Sequence, residues 1–240
     1  MNYLVSYGLI IIGSIITLAA QGFISTCYSK YKKVKNESGI KGSEMARYIL
    51  DKHGLKNVKV LEVSGELTDH YDPSAKVVRL SSDIYSGDTV ASISVAAHEC
   101  GHAIQDQEGY LMMRIRSRLV PIVNFSSYAG YFAIMVGFLF GLTKIVWLGI
   151  YFELAILLFQ LVTLPVEIDA SKRGLKELKN HKKVDESEYR GSKIMLVAAA
   201  STYVASVATT LLQILRLVLI ISGRERDWPF SFRLVRFNWR

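Results

Sequence analysis

His98, Glu99 and His102 form the pattern H-E-x-x-H within the run His98-Glu99-Cys100-Gly101-His102. On a helix, residues at this spacing share a face, so the two imidazoles can hold a single zinc ion between them. Glu99 then lies beside the metal. Its carboxylate can take a proton from a metal-activated water and later deliver it to a leaving amine. At this chain's own usage of histidine and glutamate, such a pattern arises by chance in about one chain of this length in two hundred. The lead-in, residues 92–97, is small, apolar and helix-compatible, and Gly101 permits close approach of a second backbone. Cys100 falls off the zinc face and suits core packing.

The elements that position this segment divide into apolar runs and charged stretches. Half of the 240 residues are hydrophobic, and they gather into long runs, as in a membrane protein. The formal charge of +8 concentrates beside those runs, where basic residues meet anionic headgroups and set topology; nucleic acid is therefore not an expected partner, and the lipid bilayer is. Cys27 and Cys100 lie far apart and form no C-x-x-C, so neither a disulfide nor a cysteine metal site is called for.

Residues 1–27 read as an uncleaved anchor with its N-terminus outside, because Lys30, Lys32, Lys33, Lys35 and Lys41 follow the apolar run instead of preceding it. Residues 28–117 form a soluble α+β unit. Ser43 opens a helix ending at Lys52 and His53-Gly54, with Met45, Ile49 and Leu50 on one face. A strand follows around Val58, Val60, Leu61 and Val63, and residues 67–70 and 76–80 flank the turn Asp72-Pro73-Ser74-Ala75. The H-E-x-x-H helix begins near Thr89 with Asp88 as its cap. Residues 118–165 are a membrane hairpin of two runs, each of roughly 20 residues, and Pro165 marks a kink or boundary. Residues 166–193 are charged, 194–222 make a fourth apolar helix, and 223–240 form a basic aromatic tail.

Parity then puts both charged segments on the cytoplasmic side and the tail outside. The tail carries Arg224, Arg226, Arg233, Arg236 and Arg240, against the positive-inside tendency. Either the start of the fourth run packs in the soluble unit, or Trp228, Phe230, Phe232, Phe237 and Trp239 hold the tail in the interface.

A catalytic zinc has three protein ligands and one open position. Glu167 is the preferred third ligand, because the hairpin returns it to the side that holds His98 and His102. Asp169, Asp106, Glu108 and His181 are its competitors, although Asp106 and Glu108 are too close along the chain to reach back easily.

The segments Leu67-Thr68-Asp69-His70-Tyr71-Asp72-Pro73, Val95-Ala96-Ala97-His98-Glu99-Cys100-Gly101-His102-Ala103-Ile104-Gln105 and Leu164-Pro165-Val166-Glu167-Ile168-Asp169-Ala170-Ser171 together resemble the YugP-like family of bacterial membrane zinc metallopeptidases. The resemblance covers nearly the whole chain. It implies a gluzincin-like, HtpX-related zinc peptidase unit, Zn2+ as cofactor, His98, His102 and Glu167 as ligands, Glu99 as catalytic base and a protein or peptide substrate. Related gluzincins place an Asp four residues after the ligand Glu, where it steadies a histidine ligand. Here that position is Ser171 and the acid is Asp169, which should point away from Glu167.

Other residues carry weaker readings. His70 or Tyr71, ahead of an expected edge strand at residues 76–80, could stabilise an oxyanion, and that strand could pair with an extended substrate. Tyr203 could reach the metal site from a submerged start of the fourth run, or simply pack. Glu153 lies within an apolar run, with Gln160, Gln213 and Arg216 as available polar groups. His53 and His181 look like exposed residues near helix ends. The sequence thus describes an α+β membrane protein, mostly helical, with about four transmembrane helices and a small cytoplasmic zinc-peptidase unit containing a short β-sheet. A non-catalytic zinc-stabilised scaffold and a transporter are the rivals from other classes; a homo-oligomer and membrane-protein partners stay open.

Overall fold

The computed structural model describes residues 3–227. Its elements are α1 (Tyr3–Tyr31), α2 (Gly42–Lys52), β1 (Lys59–Val63), β2 (His70–Asp72), β3 (Val77–Ser81), α3 (Ser82–Ser86), α4 (Val90–Gln107), α5 (Leu111–Leu139), α6 (Thr143–Asn180) and α7 (Glu186–Asp227). The aromatic tail expected in the interface lies outside the described residues.

Four of these helices, α1, α5, α6 and α7, are long and apolar enough to cross a membrane. Their outer faces expose large apolar side chains such as Leu4, Ile11 and Leu18 on α1 and Phe125, Tyr128 and Phe132 on α5. Such a surface needs a bilayer to cover it. The 38 residues of α6 make a rod of about 57 Å at 1.5 Å per residue, nearly twice the ~30 Å hydrocarbon core. One end must therefore stand clear of the membrane.

Of the kink or boundary expected at Pro165, the boundary is not formed, since α6 runs through it to Asn180. A proline there removes one amide donor and frees the Leu161 carbonyl, a loss that membrane helices accommodate by local adjustment. The fourth apolar helix also starts early. Ser192, Met195 and Ala198 in the first turns of α7 are buried, and the latter two join the larger hydrophobic core.

That core is built from α2, α3, α4 and the sheet, with Met45, Ile49 and Leu50 of α2 buried as their helical spacing requires. Two expected caps are corrected. At α2, the Lys41 amide donates to Glu44 Oε2 at 3.1 Å, so Glu44 and not Ser43 serves the helix start. At α4, Thr89 Oγ1 accepts from the Ser92 amide at 3.1 Å, while Asp88 is engaged with Lys35. The threonine is the residue with extended backbone at the boundary, which is where a cap must stand.

The sheet has the order β1-β3-β2, with β1 parallel and β2 antiparallel to β3. The strand expected at the edge, β3, is therefore central. Val77, Val78 and Leu80 are all buried, so both faces of β3 are covered. The free edge that faces α4 belongs to β2. Asp72 Oδ1 accepts from the amides of Ser74 and Ala75, each at 3.0 Å, which closes the turn between the two strands.

Within the membrane region, Arg216 Nε donates to Ser6 Oγ at 3.1 Å and Nη1 donates to Gln213 Oε1 at 3.3 Å. Arg216 is thereby tied to α1 and to its own helix, and the pairing with Glu153 considered from the sequence is not formed.

Candidate metal centre

The crossing of α4 and α6 creates the site. A Cβ on Gly101 would stand 2.3 Å from the Ala170 carbonyl oxygen, and one on Gly174 would stand 2.7 Å from that of Ala97. Each helix thus presents a glycine to a small residue of the other, and the two backbones meet closely in antiparallel register. Glu167, one turn before Ala170, is carried to the face holding His98 and His102.

His98, His102 and Glu167 bring one ligand atom each within 4.8 Å of the others, and all three are largely buried. Glu167 Oε2 stands 3.3 Å from His98 Nε2 and 3.5 Å from His102 Nε2. Charge-assisted N–H···O bonds are shorter, at about 2.7–2.9 Å. Two ligands of a tetrahedral zinc, each about 2.0–2.1 Å from the ion, stand about 3.3–3.4 Å apart. The separations match a metal site better than a hydrogen-bonded one, and a two-histidine, one-carboxylate donor set suits zinc.

The far sides of the imidazoles support the same reading. Gln105 Nε2 donates to the Val166 carbonyl and to Asp169 Oδ2, both at 2.8 Å, which fixes the orientation of its amide. Its Oε1 then faces His102 Nδ1 at 3.0 Å and must accept the proton there. His102 Nε2 is left with its lone pair toward Glu167. Ser171 Oγ lies 3.1 Å from His98 Nδ1, and with that nitrogen as donor His98 has the same tautomer.

Glu99 is buried in the same cleft as the three ligands. Burial raises its carboxyl to about 7; the neighbouring Glu167 and Asp69 charges add to the rise, whereas His98 and the Tyr71 backbone amide oppose it. Cys100 is buried on the opposite side, its thiol pushed upward by burial and directed at the Ala46 carbonyl. This agrees with the packing role read from the sequence.

The cleft is also lined by Asp69, His70, Tyr71 and Pro73 from the β2 region, by Met113, Arg116, Ser117 and Val120 from α5, and by Tyr203 from α7. Its volume is about 380 Å³. His70 has its Nδ1 2.7 Å from the Thr68 carbonyl, so that nitrogen donates and the ring stays at the cleft wall. The Tyr71 hydroxyl donates to Asp106 at 2.7 Å. It is therefore turned from the metal position, and what Tyr71 brings toward Glu99 is its backbone amide. Tyr203 stands beside Glu167.

The competing ligands are occupied elsewhere. Asp106 takes Tyr71 and Lys76, Glu108 takes Arg173, and Asp169 takes Gln105 and Arg173. His181 packs edge-on against Tyr48, with ring centroids 4.5 Å apart. His53 is engaged too: its Nε2 meets Glu177 at 3.1 Å, beside Lys52 at 2.6 Å, in a link between α2 and α6.

Three participants had no role assigned from the sequence. Gln105 stands one turn beyond His102 on the same face, a spacing that could have disclosed it. Ser171 was noted for what it lacks, while the structure shows it on His98. Arg116 resembled one more headgroup-facing arginine among Arg114 and Arg118. Its Nη1 in fact meets Glu167 Oε1 at 3.0 Å.

A family model described as "Putative neutral zinc metallopeptidase" matches residues 6–222 of the chain. The "Putative membrane protease YugP" of Bacillus subtilis (strain 168) is 43% identical over 209 residues, which cover 87% of this chain and 93% of that relative. No solved structure matches.

Proposed function

The chain belongs to the family described as "Putative neutral zinc metallopeptidase", and we propose that it is an integral membrane zinc endopeptidase of the gluzincin type. The observation that carries this reading is the placement of Glu167 Oε2 at 3.3 and 3.5 Å from the two imidazole Nε2 atoms, with Glu99 in the same cleft. A zinc ion held by His98, His102 and Glu167 would supply a water acidified toward neutrality and a Lewis acid for the scissile carbonyl.

The chain's own residues supply the rest. Glu99 accepts the proton that the attacking water gives up and passes it to the amine as the peptide bond breaks. Tyr203 lines the cleft beside Glu167, and its hydroxyl can donate to the developing oxyanion; His70, with Nδ1 on the Thr68 carbonyl and Nε2 facing Arg79 Nη1 at 3.3 Å, has no N–H left for that role. The free edge of β2, over His70–Asp72, can pair with an extended substrate through its backbone groups.

Membrane depth supports a substrate close to the bilayer. Counting ~20 residues for the hydrocarbon core back from Leu139 on α5 leads to Val120, and forward from Thr143 on α6 leads to Thr163. The cleft residues Val120 and Glu167 thus lie at or just beyond one surface. Arg114, Arg116 and Arg118 flank α5 at that surface, and Lys172, Arg173 and Lys176 flank α6, whereas the opposite turn has Lys144 alone. By the positive-inside tendency the catalytic side is cytoplasmic, and the substrates are membrane-proximal or unfolded segments.

Glu99→Gln tests the reading. The variant should keep its zinc and lose proteolysis, whereas unchanged proteolysis would exclude Glu99 as the base. Cellular activity that survives the substitution would favour a zinc-stabilised scaffold.

A further inference from the structure

The two oxygens of Glu167 face different partners. Oε2 is directed at the imidazoles, while Oε1 meets Arg116 Nη1 at 3.0 Å. The Glu167 side chain is 4% exposed and that of Arg116 is 32% exposed, so the guanidinium reaches inward from the cleft wall to a carboxylate shut away from water. Arg116 does so from a defined surface. Met113, Arg116, Ser117 and Val120 recur at helical spacing and together form the α5 wall of the cleft. Of the three arginines in this stretch, Arg116 is the one on that face.

We propose that Arg116 is a positioning residue that holds Glu167 Oε1 and thereby offers the metal a single carboxylate oxygen, keeping one coordination position open for substrate and water. This rests on the zinc reading given above. A carboxylate beside a divalent ion can bind through one oxygen or both. Binding through both would fill part of the coordination sphere that a catalytic zinc keeps open. The guanidinium opposes it in two ways. Its Nη1 stands 3.0 Å from Oε1 and occupies it, and its positive charge holds that oxygen away from a second cation. Groups that hold metal ligands from behind commonly set affinity or activity by 10–100-fold. In this arrangement the effect falls on turnover, because Arg116 restrains the ligand without being needed to retain the ion.

The test uses the full chain purified in detergent and loaded with Co2+, whose visible spectrum reports coordination number. The expected result is that Arg116→Ala still binds one Co2+ per chain, and that its spectrum moves from the intense bands of four-coordinate cobalt toward the weaker bands of a higher-coordinate ion. Hydrolysis of fluorescent casein by the zinc-loaded variant should fall about 10–100-fold in kcat, with KM little changed. Arg116→Lys, which keeps one donor, should restore the four-coordinate spectrum at least in part. An Arg116→Ala spectrum identical to that of the unaltered chain would overturn the proposal, as would loss of the metal from that variant. A chain that binds no Co2+ before any substitution would overturn the zinc reading itself.

Discussion

Ser171 Oγ lies 3.1 Å from His98 Nδ1, at the position four residues beyond Glu167 where the resemblance drawn from the sequence leads one to expect an acid. The hydroxyl is a shorter and neutral acceptor, so it fixes the ring without adding a charge next to the metal. The nearby acid on the same helix is Asp169. It touches neither histidine but receives Gln105 Nε2 at 2.8 Å, and Gln105 in turn holds His102. One imidazole is thus held directly and the other through an amide anchored by a carboxylate.

Ser171→Ala should leave His98 free to rotate or to change tautomer. Zinc affinity, measured by competition with a chromogenic chelator, should fall by about 10-fold or more. Ser171→Asp should restore binding, since a carboxylate in that place holds the same Nδ1–H. Equal affinities for all three chains would show that the contact has no effect on the metal.

Gln105→Leu removes three hydrogen bonds from a side chain with no solvent exposure. His102 Nδ1 is left without its partner, at about 1–3 kcal/mol for a polar group that stays buried, and the Val166 carbonyl loses its second donor. Denaturant unfolding should show a lower midpoint, together with weaker zinc binding. If stability drops while zinc affinity is unchanged, Gln105 serves packing and not the metal.

Gly101→Ala would place a methyl group 2.3 Å from the Ala170 carbonyl oxygen. The contact is with backbone, so α4 and α6 must separate, at a cost of about 1–3 kcal/mol or more. Because the same crossing carries Glu167 to the histidines, zinc content should fall along with stability. Gly174→Ala, at 2.7 Å from the Ala97 carbonyl oxygen, should act in the same direction and less strongly.

Zinc should raise the thermal midpoint of the metal-stripped chain, since a ligand at 100 times its dissociation constant stabilises the folded state by about 2.7 kcal/mol. Glu167→Ala should abolish that shift. Tight stoichiometric zinc retained by the variant would exclude Glu167 as third ligand.

Single cysteines at positions 141 and 182, in a chain freed of Cys27 and Cys100, should report opposite sides of the membrane. On intact cells an impermeant thiol reagent should label position 141 and reach position 182 only after permeabilisation. The reverse pattern would put the zinc cleft outside.

The sequence by itself determined the features that depend on local period and run length. Four apolar runs become four long helices because each must satisfy its backbone internally once out of water. His98 and His102 share a face because the helix repeats every 3.6 residues. Asp72 makes its turn with its own neighbours. Tertiary structure decided what depends on distant partners. Sequence preferred Glu167 by the side of the membrane it returns to, but the approach of its carboxylate to the two imidazoles follows from the α4–α6 crossing set by Gly101 and Gly174. Nor could the strand at residues 76–80 be recognised as central before β1 was known to lie along it. Arg116 shows the limit most clearly: among three arginines of like composition and spacing to the membrane, only the rotation of α5 about its axis selects the one that meets Glu167.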